Sequence, residues 1–224
     1  NSGRIVAGNT FDYPYIHGKA VMEAGFSFFS VSDEYFCSTD IDNSLYNAVD
    51  LIFGEEKSTS FFGDTARIKF RIYTTEFMNR IKKITEDGKD IFMTGSYVGT
   101  DLLNCTDSTA IKFAGEYLHF MPRTGHAVKL GGFFATDYVS KYFTGNFHFN
   151  TNFSDKIYQV EAPDAIEPSG QDAMCAFRYS ETNASAGILY KGKYRTVILG
   201  FPFETIDNEE ERIILMKQVL RFFE

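Results

Sequence analysis

The sequence predicts an α/β sandwich with a mostly parallel central sheet and a β-rich insertion, in one domain spanning residues 1–224. Three observations predict it. Apolar runs of strand length at residues 49–53 and 91–93 are nearly continuous, as strands covered on both faces require. Segments with helical spacing of apolar residues separate them, and the chain ends in an acid-started amphipathic helix.

In chain order, residues 1–14 are punctuated by Gly3, Gly8, Asn9 and Pro14, with only residues 4–7 resembling a strand. Ile16, Ala20 and Ala24 then mark one face of a helix over 15–24, which Gly25 stops. Residues 26–31 read as a strand, ending in a polar turn at 30–33. A strand over 45–53 stops at Gly54-Glu55-Glu56, and residues 57–72 read as a loop whose Phe61 and Phe62 must bury or form a lid. Thr74 or Thr75 caps a helix with Phe77, Ile81 and Ile84 on one face and Gly88 at its close. After the strand at 91–93, a second amphipathic helix covers 108–118.

From residue 125 to about 187 the pattern changes to short aromatic or alternating runs broken by Gly, Asn, Asp and Pro, which predicts an antiparallel β extension. A hairpin follows, 186–190 and 194–199 across Lys191-Gly192-Lys193, and then a turn at 200–204. Asp207 is the expected N-cap of the last helix, with Glu210 three residues on and Lys217 and Arg221 toward the end.

Composition narrows the function. A net charge of −8 argues against nucleic acid and anionic membrane surfaces, since both recruit basic fields. The chain has 24 Phe and 13 Tyr but no Trp, which fits an aromatic core better than a sugar-stacking platform. Cys37, Cys105 and Cys175 show no paired spacing and read as packed thiols. His119, His126 and His148 lack the spacing of metal ligands, so neither a metal nor another cofactor is expected. No run reaches the length of a membrane span, and no signal peptide opens the chain; a start without Met reads as a processed product.

The sharpest local feature is Gly95-Ser96-Tyr97-Val98-Gly99, directly after the strand at 91–93 and before Thr100 and Asp101, which suit a helix start. This outlines a nucleophile elbow, in which flanking glycines let a strand-to-helix turn lift one side chain above a sheet. Its middle residue is Tyr97. Ligands of open α/β sheets sit at the carboxyl ends of strands, which nominates the loops at 30–33, 54–56, 95–99 and 201–204.

At these loops the chain resembles the class I glutamine amidotransferase-like superfamily. That resemblance implies a flavodoxin-like three-layer fold, a Gly-x-Cys-x-Gly elbow and a late His-x-Glu that together supply a Cys-His-Glu triad. Here Gly95 and Gly99 match the elbow glycines, Tyr97 stands at the cysteine position, Pro202 stands at the histidine position, and Glu204 is retained. More narrowly, His17-Gly18-Lys19-Ala20, Gly25-Phe26-Ser27-Phe28, the run from Val49 to Glu55 and the run from Leu199 to Glu204 resemble secreted bacterial proteins carrying the name xanthan lyase. This implies a secreted or periplasmic, carbohydrate-related parent, with carbohydrate or neighbouring domains as partners.

Two functional expectations follow. In the first, the domain is a non-catalytic binding or structural module, with Tyr97 filling the old cleft and hydrogen-bonding Glu204. In the second, it is a carbohydrate lyase or hydrolase using Tyr97 and Glu204. Tyr97 would then need a cation such as Arg178 or a lysine to depress its pKa, and Glu55 or Glu56 would pair with Glu204. His17 is the histidine best placed for a ligand contact. Ser96 sits one residue early for a serine elbow, so its hydroxyl is expected to face the turn.

Overall fold

The computed structural model describes residues 8, 12–38, 41–61, 64–104 and 108–224, with backbone alone at 61 and 64–69. Residues 4–7, Phe62 and Cys105, singled out in the sequence, lie outside that description. The helices are α1 (Tyr13–Glu23), α2 (Asp33–Ser38), α3 (Thr75–Glu86), α4 (Thr100–Leu103), α5 (Ser108–Phe113) and α6 (Glu209–Phe222). The strands are β1 (Ala48–Gly54), β2 (Thr59–Phe61), β3 (Asp64–Phe70), β4 (Asp90–Gly95), β5 (Phe120–Thr124), β6 (Gly132–Ala135), β7 (Asn146–His148), β8 (Ala165–Pro168), β9 (Ala173–Tyr179), β10 (Ser185–Lys191) and β11 (Arg195–Leu199).

Seven of these strands form one mixed sheet in the order β1-β4-β11-β10-β9-β6-β7. Its first three are parallel, with Leu51 opposite Met93 and Ile198 opposite Met93 on the other side. From β11 onward every neighbour is antiparallel. The β-rich stretch therefore extends the same sheet, apart from β5 and β8, which pair with each other alone. β4, flanked on both sides, is buried at all six positions, in keeping with its unbroken apolar reading.

Each face of the sheet carries its own core. One side gathers Ala20 and Val21 of α1, Leu215, Met216 and Val219 of α6, and a run of phenylalanines. The rings of Phe149 and Phe201 stack at 4.5 Å, and Phe133 stands 4.6 Å from Phe201, so the aromatic richness is spent on packing. The other side gathers Phe77, Ile81 and Ile84 of α3 with Phe113 of α5. Thr74 caps α3 as its sequence foretells, accepting from the Phe77 amide at 3.1 Å.

Four local expectations are corrected. Residues 26–31 form no strand: the Phe26 amide bonds to the Val21 carbonyl, and Phe28 lies so tightly on Gly18 that a Cβ there would meet its ring at 2.2 Å. Docking on α1 thus overrides strand propensity. The loop expected over 57–72 contains the β2–β3 hairpin, and both its ends are drawn to one acceptor: the Ser58 and Ile72 amides donate to Asp101. The helix over 108–118 changes to a π-helical turn at Ala114–Leu118, ending at His119 with φ 61°. Finally, Asn208 rather than Asp207 caps α6, because the Asp207 carboxylate is engaged by His148 Nδ1 at 2.6 Å.

Candidate functional site

The carboxyl ends of β1, β4 and β11 bring the elbow, the Glu55 loop and the Phe203–Thr205 turn to one edge of the sheet. Close packing dictates glycine at the elbow's entry: a Cβ on Gly95 would lie 2.8 Å from Phe53 Cβ. The Ser96 amide donates to the Gly54 carbonyl at 2.9 Å and locks the turn onto the end of β1. The chain then enters α4, with the Asp101 amide bonded to the Tyr97 carbonyl at 2.9 Å.

The amides that open α4 point at the protein's own carboxylate. Gly99 N–H and Thr100 N–H donate to Asp164 Oδ2 at 2.6 and 2.8 Å, and the Thr100 hydroxyl donates to Oδ1 at 2.5 Å. Asp164 is fully buried and fixed from behind, its amide on the Gly200 carbonyl and its carbonyl receiving the Tyr179 hydroxyl. Burial pushes its carboxyl up to about 7, against the hydrogen bonds from Thr100 and Gly99, which favour the anion. Nothing in the sequence around Pro163 and Asp164 signals this role, since the residues it serves are 65 positions away.

Tyr97, the elbow's tip, is 8% exposed. Its hydroxyl accepts from Lys57 Nζ at 3.4 Å, and that ammonium sits 4.7 Å from the ring centroid. The cation lowers the phenol's pKa, but burial outweighs it and the net direction is upward. Tyr97 therefore stays a neutral phenol at neutral pH. The lysine alternative is realised by Lys57; Arg178 is elsewhere, donating to the Asn183 carbonyl in the β9–β10 connection. The expected Tyr97–Glu204 hydrogen bond is replaced by other partners on both sides.

Glu204 is 2% exposed and engaged at both oxygens. Oε1 receives the Tyr158 hydroxyl at 2.7 Å, and Oε2 lies 3.2 Å from His17 Nε2. The other ring nitrogen of His17, Nδ1, is 2.7 Å from Asp50 Oδ2. Burial alone would lower the His17 pKa, but the two carboxylates outweigh it and raise the value to about 9. The side chain is thus an interior imidazolium between two anions, with an edge-on ring contact to Phe203 at 4.7 Å. Its position is not that of a solvent-facing ligand contact. Asp50 was detectable in principle as the one charge inside the apolar run Ala48–Gly54; Tyr158, from the β extension, carried no signal.

Glu55 is half-buried, and its Oε1 accepts from the Glu161 amide at 3.0 Å. Burial first, and the neighbouring Glu161 and Glu204 charges in lesser part, push it up to about 7. Ser96 lies fully buried. Among the described residues, no group of three or more His, Cys, Asp or Glu side chains has the arrangement of a metal site. No helix among them is long and apolar enough to cross a membrane.

Chemically, the cleft offers a neutral phenol at the elbow, helix-opening amides already bonded to a carboxylate, and a histidine held on both nitrogens. None of these three is a free nucleophile or an available base of ordinary basicity; the titratable group beside them with a pKa near neutrality is Glu55, whose Oε1 is held by the Glu161 amide.

No family model matches the chain, and no curated protein matches it. Solved structures do resemble it. Over 95% of this chain it superposes on the exo-β-1,4-mannosidase Op5Man5 from Opitutaceae bacterium strain TAV5, with a TM-score of 0.58 and 10% identity, spanning 31% of that enzyme's length. The mmIFT52 N-terminal domain gives 0.56 at 14% identity over 92% of this chain and 88% of its own. The cytoplasmic protein STM3548 from Salmonella typhimurium gives 0.55 at 11% identity over 97% and 93%. Likeness at such identities shows the fold alone.

Proposed function

We propose that this chain is a non-catalytic, amidotransferase-like domain that serves as a binding or structural module of a secreted or periplasmic, carbohydrate-related protein. The observation that carries the reading is the Asp164 carboxylate on the Gly99 and Thr100 amides, beneath an elbow tipped by a neutral Tyr97. A helix start that would stabilise developing negative charge in an enzyme is here neutralised by the protein itself. Glu204, the one retained member of the family's triad, is consumed in the Asp50–His17–Glu204–Tyr158 network. Its role is to hold α1 against the sheet edge. The carbohydrate-related parent rests on the motif resemblance alone; the exo-β-1,4-mannosidase, 31% of whose length this chain spans, shares the fold.

The test is turnover. The purified chain is incubated with L-glutamine and, separately, with β-1,4-mannooligosaccharides and xanthan, and release of ammonia or of new sugar ends is followed. The expected result is no turnover, with Glu204→Gln lowering the melting temperature. Turnover that disappears in Tyr97→Phe, or that disappears in Glu204→Gln with the melting temperature unchanged, would overturn the proposal in favour of a carbohydrate lyase or hydrolase.

A further inference from the structure

The chain leaves α1 and enters α2 with large apolar side chains turned outward. Phe28, Phe29, Val31 and Tyr35, with Leu45 at the approach to β1, are 40–68% exposed. An edge-on ring contact at 6.2 Å between Phe29 and Tyr46 ties this segment to that approach. A single exposed apolar residue needs no explanation. Five of them along the border of the sheet where β1 is the terminal strand mark an interaction surface. Beside the stripe lies uncompensated negative charge. Asp33 and Glu34 open α2, and their charges act on the Glu56 carboxyl just after β1. Among the described residues none of these three is in an ion pair. A partner that covers the stripe must therefore bring apolar groups and cations together.

The chain itself carries a segment of that kind. β2 and β3 pair with each other and with no strand of the main sheet, and a two-stranded hairpin left to itself is marginal in water. Its two ends are held at Asp101 through the Ser58 and Ile72 amides, so it stands as one arm. β3 alternates in sequence, Ala66, Ile68 and Phe70 against Arg67 and Lys69, with Arg71 directly after it. Alternate residues of a strand share a face, so one face is apolar and the other basic. In a chain of net charge −8 this run concentrates three cations, to set against the three carboxylates beside the stripe. The exposure of the stripe shows that a chain's own arm does not cover it. A second copy related by a two-fold axis can, with each arm reaching the other's stripe, and such reciprocal exchange closes at a dimer.

We propose that the stripe is a homodimer interface, in which the β2–β3 arm of a second copy docks on residues 28–35 and sets Arg67, Lys69 and Arg71 against Asp33, Glu34 and Glu56. Apolar burial holds the arm, and the charges select its place. The proposal is independent of whether the elbow cleft is catalytic.

The test is sedimentation equilibrium on the full chain and on two charge-reversal variants. Arg67→Glu with Lys69→Glu reverses the arm, and Asp33→Lys with Glu34→Lys reverses the acidic side of the stripe. The unsubstituted chain is expected to dimerise. Each variant alone, shown to be folded by circular dichroism, is expected to self-associate at least about tenfold more weakly. Mixed in equal amounts, the two variants are expected to dimerise again, because each arm then meets charge of the opposite sign. Phe29→Asp, at an exposed position, weakens the dimer through the stripe and carries the test should a charge variant fail to fold. A chain that is monomeric at every concentration overturns the proposal and leaves the stripe to a different protein. So does a dimer that Phe29→Asp and the arm reversal leave intact, and so do folded reversal variants that stay monomeric when mixed.

Discussion

Asp164 is the residue on which most of the elbow's geometry depends. It accepts three hydrogen bonds, two from amides at the start of α4, which have no partner within a helix of any length, and one from the Thr100 hydroxyl. Asp164→Ala should therefore cost about 3 kcal/mol or more, roughly 6–12 °C in melting temperature for a chain of this size. Asp164→Asn keeps one acceptor oxygen for the two amides and should cost far less. Removing the carboxyl also changes the response to pH. The folded-state pKa of Asp164 is raised to about 7, so its contribution is fully present below its unfolded value and fades as pH rises through 7. Thermal melts at pH 6 and pH 8 should show the Asn variant losing less stability between the two than the unsubstituted chain. Equal losses would mean that Asp164 is charged throughout.

At the scale of elements, α6 shows how closely sequence signals approach the truth and why they stop short. Asp207 and Asn208 are both good N-caps, and only the tertiary contact of Asp207 with His148 decides between them. Asn208→Ala should destabilise by about 1 kcal/mol, read as a drop of roughly 2–4 °C. Asp207→Ala should act through the loss of the exposed His148–Asp207 hydrogen bond and cost less. The same division runs through the rest of the fold. β1, β4, α1, α3 and the β10–β11 hairpin were legible because their apolar spacing, caps and glycine stops are local. The path of residues 26–31 and the β2–β3 hairpin were not, because Gly18 and Asp101, distant in sequence, determine them. The site divides likewise. The elbow glycines and Glu204 lie in compact motifs, whereas Lys57, Asp164 and Tyr158 reach the cleft only through the folding of the β2 approach and the β extension.

On the scale of the whole molecule, three inward-facing titratable groups around the cleft pull stability in one direction. His17 is raised to about 9, and Glu55 and Asp164 to about 7. In each case the folded pKa exceeds the unfolded one, so the stabilising contribution is complete at low pH and is lost as pH rises through the folded value. For His17, loss of the proton leaves a neutral ring between two carboxylates, and its shift corresponds to roughly 3 kcal/mol. Opposed to these are carboxylates whose pKa is lowered, Glu181 by the Leu130 and Lys129 amides and Glu209 by Lys19. Their contribution is lost as pH falls below their ordinary range, but they are exposed and screened by solvent. The sum predicts stability that falls as pH rises from about 4, the unfolded value of the buried carboxyls, to about 7, and through His17 on to about 9. Calorimetry from pH 4 to pH 10 should show the melting temperature falling in two stages, one ending near pH 7 and one ending near pH 9. Glu55→Gln should shrink the first stage and His17→Gln should abolish the second, at the expense of about 3–5 kcal/mol at neutral pH for two carboxylates left without their cation. A profile that stays flat between pH 6 and pH 10 would mean that His17 is neutral in the folded chain, and the network around Glu204 would then be hydrogen-bonded rather than ionic.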